Sequence, residues 1–269
     1  MGADIIKKEL PVTLVPQTIL QAEKIYEEHL IRDFPDNEVK PFAVIEAAMR
    51  GGRYQVFAAM LDGELAGYAF LAAGSPAESA NLPAGQPAGS ADLPAGSPAE
   101  SADLPAGSPV ESADLPAGSP AGSANLPAGS PAGNAGTPDG KKVGLLDYFA
   151  VVCSKRDQGI GSRIMEALSP EKTGLDCILV ESERIMEDLE EEQKKERLRR
   201  IRFYERAGAK RSGVYTYLYG VFYDIMIFSA GSATISPREA FALTDFMYHE
   251  MYPAYWFPKL ADIYIDQSV

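Results

Sequence analysis

One stretch of the 269-residue chain has the residue types and the spacing to hold an anion. Arg156, Asp157, Gln158, Gly159, Ile160, Gly161, Ser162 and Arg163 stand between an apolar run, LLDYFAVV, and a segment of helical periodicity. A glycine-marked turn that enters a helix exposes unpaired backbone N–H groups at the positive end of the helix dipole. Such a place binds phosphate or pyrophosphate. Glycines at 159 and 161 would let backbone approach the anion closely and would permit a positive φ. The run fits neither the G-x-G-x-x-G dinucleotide fingerprint nor the P-loop, which needs G-K-[ST]. By itself it is as readily a tight strand-to-helix turn.

The elements that must position this turn are legible on both sides of it. Residues 17–34 have helical spacing, with Ile19, Ala22, Ile25, Tyr26, His29 and Leu30 on one face, and a second helix is expected over about 38–50, stopping at Gly51-Gly52. Residues 54–73 read as a hairpin turning at Asp62-Gly63. Residues 141–152 are expected to form a buried strand, 154–168 the turn and its helix, 176–182 a strand and 185–208 a long charged helix ending at Gly208. A strand pair broken near Gly220 should occupy 214–229, and a final amphipathic helix 236–256, capped by Ser236.

Between hairpin and strand lies a segment of different composition. Residues 74–140 contain no Lys or Arg, seven acids and 12 of the 20 prolines, and 79–133 are five tandem copies of an 11-residue unit such as SADLPAGSPAE. Two prolines per unit exclude a helix, and one Leu per unit offers too little apolar surface to offset the entropy of ordering the chain. The expectation is a disordered, polyproline-like loop, either a neutral repeat expansion or a ligand for a proline-binding partner. The cost of closing so long a loop grows only logarithmically, so its host can stay folded.

The spacing R-x-x-G-x-G at Arg156, Gly159 and Gly161, directly after LLDYFAVV, resembles the acetyl-CoA-binding motif of the GNAT superfamily of acyl-CoA N-acyltransferases. About 40 residues on, RIRFYERAGAKRSG (200–213) resembles that superfamily's second signature, a helix ending F-Y-x-x-x-G-[FA]. The expected element order agrees over roughly residues 13–230, the insert apart. The resemblance implies an α/β (α+β) fold, a central mixed, mostly antiparallel sheet with helices on both faces, here interrupted by the Pro/Ala/Gly/Ser repeat loop. It implies that the strand before the glycine turn splays from the next parallel strand. The pantetheine arm of acetyl-CoA would lie in that gap along the backbone of Phe149, Ala150 and Val151. The pyrophosphate would sit on the amides of Arg156, Asp157, Gln158, Gly159, Ile160, Gly161 and Ser162. Tyr204 would protonate the departing CoA thiolate. Gln158 departs from the glycine frequent among relatives, and its side chain is expected to point away from the cradle.

Direct acyl transfer to an amine also needs a base and an oxyanion donor, for which a strand amide serves. Candidate bases are Glu181 and Asp147, one on each strand flanking the gap. Strict alternation places Glu181 with Cys177 and Leu179, and Asp147 with Leu145 and Phe149. A carboxylate beside an apolar wall has its pKa raised toward useful values; either acid could instead be solvated or salt-bridged, and Tyr204 could be a core aromatic.

Composition narrows the classes further. A net charge of −13 argues against nucleic acid as partner, and no apolar run is long enough to span a membrane. Cys153 and Cys177 are too few for a disulfide framework and lack metal-ligand spacing, which points to the cytoplasm and to no metal. The spacing of Glu190 to Lys194 and of Glu191 to Lys195 suggests a solvated helix face. His249 stands among Tyr248, Tyr252, Tyr255 and Trp256 in an aromatic segment that could pack on its own domain, line a substrate pocket or pair a homodimer. His29 is expected in core or at its edge and not in the chemistry, and Cys153 as a buried small hydrophobe, the alternative being a reactive thiol near bound CoA. The sequence therefore predicts an acyltransferase domain over 1–230 and a C-terminal helical appendage over 231–269. The activity expected is acetyl-CoA-dependent N-acetylation of a small-molecule or peptide amine. The alternative is a degenerate relative that binds CoA or a protein without turnover.

Overall fold

The computed structural model describes residues 12–36, 38–74, 140–218, 220–252 and 261–266. The repeat segment at 79–133 lies outside them. The described residues build one eight-stranded sheet in the order β1-β2-β3-β4-β5-β7-β6-β8. Its strands are β1 (Thr13–Pro16), β2 (Tyr54–Leu61), β3 (Glu64–Gly74), β4 (Val143–Val151), β5 (Cys177–Glu183), β6 (Lys210–Leu218), β7 (Val221–Ser229) and β8 (Ala261–Ile265). All neighbours pair antiparallel except β4 and β5, which are parallel. A parallel pair needs a crossover; here α4 (Ile160–Ala167) and α5 (Pro170–Thr173) supply it.

Helices cover both faces, which is why the central strands read as near-continuous apolar runs. On one face Tyr68, Phe70, Leu145, Leu179 and Ile225 meet α1 (Ile19–Ile25), α3 (Phe42–Arg50) and α7 (Pro237–Met251). On the other, Leu71, Leu146, Ile178, Val180 and Met226 meet α4 and α6 (Glu191–Arg206). The helical run expected at 17–34 is α1, a π-helical turn at Tyr26–Leu30 and a last turn, α2 (Ile31–Asp33). Thr18 and Gln21 form its capping box.

Three expectations change. The long charged helix starts at Glu191 and not at 185, because Glu190 and Gln193 cap one another's backbone there. The lysine–glutamate ion pairs within it are Lys194 to Glu191 and Lys195 to Glu192, each three residues apart. The segment expected as an appendage after 230 belongs to the same body: Leu243, Met247 and Tyr248 of α7 are fully buried in the core, and β8 extends the sheet beyond β6. β1 and β8 are short edge strands that periodicity did not single out.

β3, β4 and α4 approach closely at Gly67. A Cβ there would stand 2.7 Å from the Ala150 carbonyl oxygen and 2.7 Å from Ile164 Cδ1. We expect Gly67→Ala to cost about 1–3 kcal/mol through overpacking, read as a lower urea midpoint at unchanged m-value.

Candidate active site

β4 and β5 are paired only over Val143–Leu146 and Cys177–Val180. Past Leu146 and Val180 they part. Phe149, Ala150 and Val151 pair with β3 alone, and Glu181, Ser182 and Glu183 with β7 alone. The parting coincides with a β-bulge: Phe70 faces Tyr148 and Leu71 faces Leu146, leaving Asp147 as the extra residue. A bulge bends its strand and re-aims side chains. This one overturns the alternation assumed from sequence. Leu145 and Tyr148 join the α7 face, whereas Leu146, Phe149 and Val151 face α4 and α6, so Asp147 and Phe149 do not share a face.

The strand leads into the turn as expected. A 3₁₀ turn at Cys153–Lys155 is followed by Asp157 at φ 61° and Gly159 at φ 71°, the latter the N-cap of α4. First-turn amides, here those of Ile160, Gly161 and Ser162, have no intrahelical acceptor, and among the described residues no side chain caps this helix. Gly159 needs its positive φ. Gly161 is helical and is small for another reason, since a Cβ would lie 3.2 Å from the Phe203 ring. Gln158 folds back to donate to the Ser154 carbonyl at 3.4 Å and leaves the amides uncovered. Arg156 donates to the Val151 carbonyl and to Asp33, each at 3.1 Å, tying the turn to the end of α2. Beside the parted strands the Ser182 hydroxyl, only 1% exposed, has no hydrogen-bond partner among the described residues. An uncapped helix start next to an unpaired strand edge and an orphaned hydroxyl fit a diphosphate carrying an amide-bearing arm.

The three candidate catalytic side chains divide between the faces. Tyr204 lies with α6 on the α4 side, 7% exposed, its ring edge-on to Phe203, which stacks on Phe149. Burial pushes its phenol up to about 12. Glu181 lies on the α7 side, where its carboxylate accepts a hydrogen bond from Tyr248, whose oxygen is also 3.1 Å from Thr216 Oγ1. Burial raises Glu181 to about 7; Tyr248 and the Lys40 ammonium oppose the rise, and Asp147 and Glu38 add to it. Asp147 is spoken for on both oxygens, by Lys40 Nζ at 2.5 Å and by the Tyr54 hydroxyl, with its side chain 3% exposed. Burial works against the Lys40 ammonium, but Asp147, Tyr148 and Glu181 together outweigh it and hold Lys40 above its ordinary value. Lys40 also lies 5.3 Å from the Tyr148 ring centre and 5.4 Å from that of Tyr252.

Sequence reasoning missed this second layer. Lys40, Tyr54, Tyr248 and Thr216 carry no motif, and the aromatic crowding around His249 was the one available signal. His249 itself is exposed, with Nδ1 2.8 Å from the Asp245 carbonyl oxygen. Cys153 is exposed rather than buried. A cavity of about 520 Å³ opens on the α7 face, with Lys40, Tyr54 and Tyr252 in its wall and alanines of α3 and β3 around it. Among the described residues, no group of three His, Cys, Asp or Glu could hold a metal ion, and no helix is long and apolar enough to cross a membrane.

No protein-family model and no curated protein matches the chain. Solved structures do. An aminoglycoside acetyltransferase, AAC(6')-Ib in complex with paromomycin and acetyl-CoA, is 16% identical, with 82% of this chain and 94% of that one covered at a TM-score of 0.45. The ribosomal-protein-S18-alanine N-acetyltransferase of Escherichia coli is 14% identical over 83% of this chain and 96% of its own, at 0.42. A Bacillus subtilis acetyltransferase in complex with CoA is 11% identical over 82% and 99%, also at 0.42.

Proposed function

We propose that the chain is an acetyl-CoA-dependent N-acetyltransferase acting on a primary amine. One observation carries the reading. The parallel strands part beside an uncapped helix start, with a buried phenol on one face of the opening and a carboxylate raised toward neutrality on the other. Acetyl-CoA supplies an acetyl group as a thioester. The amides of Ile160, Gly161 and Ser162 hold the diphosphate, with Arg156 through Gly159 shaping the cradle. The edge of β4 at Phe149, Ala150 and Val151, apart from the Val151 carbonyl that Arg156 takes, pairs with the pantetheine amides and offers an N–H to the thioester oxygen.

The acceptor approaches from the α7 face, the side of the cavity walled by Lys40, Tyr54 and Tyr252. As its nitrogen bonds to the acyl carbon and the carbon–sulfur bond breaks, the amine's proton goes to Glu181 and the Tyr204 hydroxyl gives its proton to sulfur. The two environments suit the two roles. A phenol at about 12 stays protonated at neutral pH, and a carboxyl at about 7 is ionised in a large fraction of molecules. Asp147, held on one oxygen by the Lys40 ammonium and on the other by the Tyr54 hydroxyl, is the more engaged of the two acids; its part is to fix the bulge.

Calorimetric titration with acetyl-CoA, followed by a thiol-release assay over a panel of amines, tests the reading; absence of saturable binding would overturn it. Tyr204→Phe keeps the ring and should lower kcat about 10²–10⁴-fold with acetyl-CoA affinity unchanged. An unaltered kcat removes the phenol from the reaction.

Glu181 makes a pH prediction of both signs. Its base form appears as pH rises, so kcat should climb through about pH 7 and level off above it. The folded protein keeps this proton up to about pH 7, whereas an unfolded chain loses it near 4.5. The group's contribution to stability therefore falls as pH rises across that window. Glu181→Gln should abolish the pH limb, lower kcat about 10²–10⁴-fold and raise Tm relative to wild type more at pH 8 than at pH 5. Equal shifts at both pH values would mean that Glu181 is not raised.

A further inference from the structure

Glu181 is aimed and tuned from outside the motif-bearing elements. Its carboxylate Oε1 accepts the hydroxyl of Tyr248, in the fourth turn of α7. Behind that hydroxyl, at 3.1 Å, stands Thr216 Oγ1 of β6. Tyr248 and Thr216 are both 0% exposed, and because the Tyr248 hydroxyl donates to Glu181, the hydroxyl of Thr216 donates to Tyr248. The Tyr252 ring meets Tyr248 edge-on at 5.8 Å and closes the layer above it. We propose that Thr216 and Tyr248 form a hydrogen-bonded relay that holds one oxygen of Glu181, leaving the other to take the amine proton, so that Tyr248 is a positioning residue of the reaction. This deepens the acetyl-transfer reading and rests on it for the identity of that proton. The balance is simple: one proton moves from the amine nitrogen to the free oxygen of Glu181, and Tyr248 keeps its own.

The relay predicts a direction. Tyr248 donates to the ionised form and so lowers the pKa of Glu181, as a donor to a carboxylate must. The other groups acting on Glu181 are Lys40 from the loop before α3, Asp147 and Tyr148 from β4, Glu38 from the loop after α2 and Tyr223 from β7. Glu183, next on the same face of β5, is engaged by Arg197 and Arg200 of α6. None of these reaches the oxygen through Tyr248, so removing one hydroxyl leaves their fields in place. Tyr248→Phe keeps the ring and its packing. A hydrogen bond to a charged group is worth enough that Glu181 should titrate roughly one to two pH units higher without it. Thr216→Val should give a smaller shift in the same direction, and Thr216→Ser should restore the wild-type value.

The experiment is a carbon-13 NMR titration of the full chain labelled at glutamate side-chain carboxyls, with Glu181→Gln identifying the resonance, run alongside the pH profile of acetyl transfer. Upward movement of the resonance and of the kinetic limb together in Tyr248→Phe, with Thr216→Val between, supports the relay. A Glu181 resonance that titrates where wild type does in folded Tyr248→Phe overturns it, whatever the activity. A resonance that moves in Tyr248→Phe when the wild-type chain itself shows no transferase activity at any pH upholds the hydrogen-bonded relay and overturns the acetyl-transfer reading instead.

Discussion

Four paired positions on each strand join the two halves of the sheet: Val143–Leu146 of β4 against Cys177–Val180 of β5. β1 to β4 lie on one side of that seam and β5 to β8 on the other. So short a ladder cannot by itself hold two four-stranded halves at a fixed angle, and the opening beyond it depends on what spans the seam. α7 packs on β3 and β4 from one half and on β6 and β8 from the other. α4 leaves β4 at the mouth of the opening but packs back across β3 and β1, within the first half, so α7 is the helix that bridges the two. The bulge at Asp147 starts the divergence, and Lys40 and Tyr54 hold that residue where it is.

The same seam explains why two neighbouring carboxylates end up unlike each other. Asp147 and Glu181 follow the last paired residues of their strands, and both lose water. Asp147 has an ammonium at 2.5 Å, which repays the loss of solvation at the expense of a free lone pair. Glu181 has a neutral phenol, which repays less and leaves burial the dominant influence on it. Different partners on matched strands thus leave one acid held by a cation and the other raised toward neutrality by burial.

What was legible in the sequence was whatever is local. The turn at 156–162, the hairpin at Asp62-Gly63 and the Ser236 cap each depend on residues within a few positions, and each is where the spacing put it. Parting of the strands was implied by the motif and is present. The bulge left no mark, since no glycine or proline accompanies Leu146-Asp147-Tyr148, and without it the faces of β4 come out wrong from Asp147 onward. Lys40 lies 107 positions from Asp147, and Tyr248 lies 67 from Glu181. Such partners are chosen by the topology of the sheet, which periodicity does not carry. The edge strands β1 and β8 are four and five residues long, too short for alternation to stand out.

Gly74, the last residue of β3, is the register partner of Val143, the first of β4. The two strand ends therefore stand side by side, one inter-strand spacing apart, at the point where the chain leaves the sheet and returns to it. The ladder between those strands is specified by its own pairing from Gly67 to Gly74, and the covalent connection adds only the entropy of keeping both ends together. The fold is in this sense already divisible there. A chain severed between Gly74 and Val143 would retain every rung of the β3–β4 ladder, and the same point could serve as new termini or accept a foreign domain without disturbing the seam.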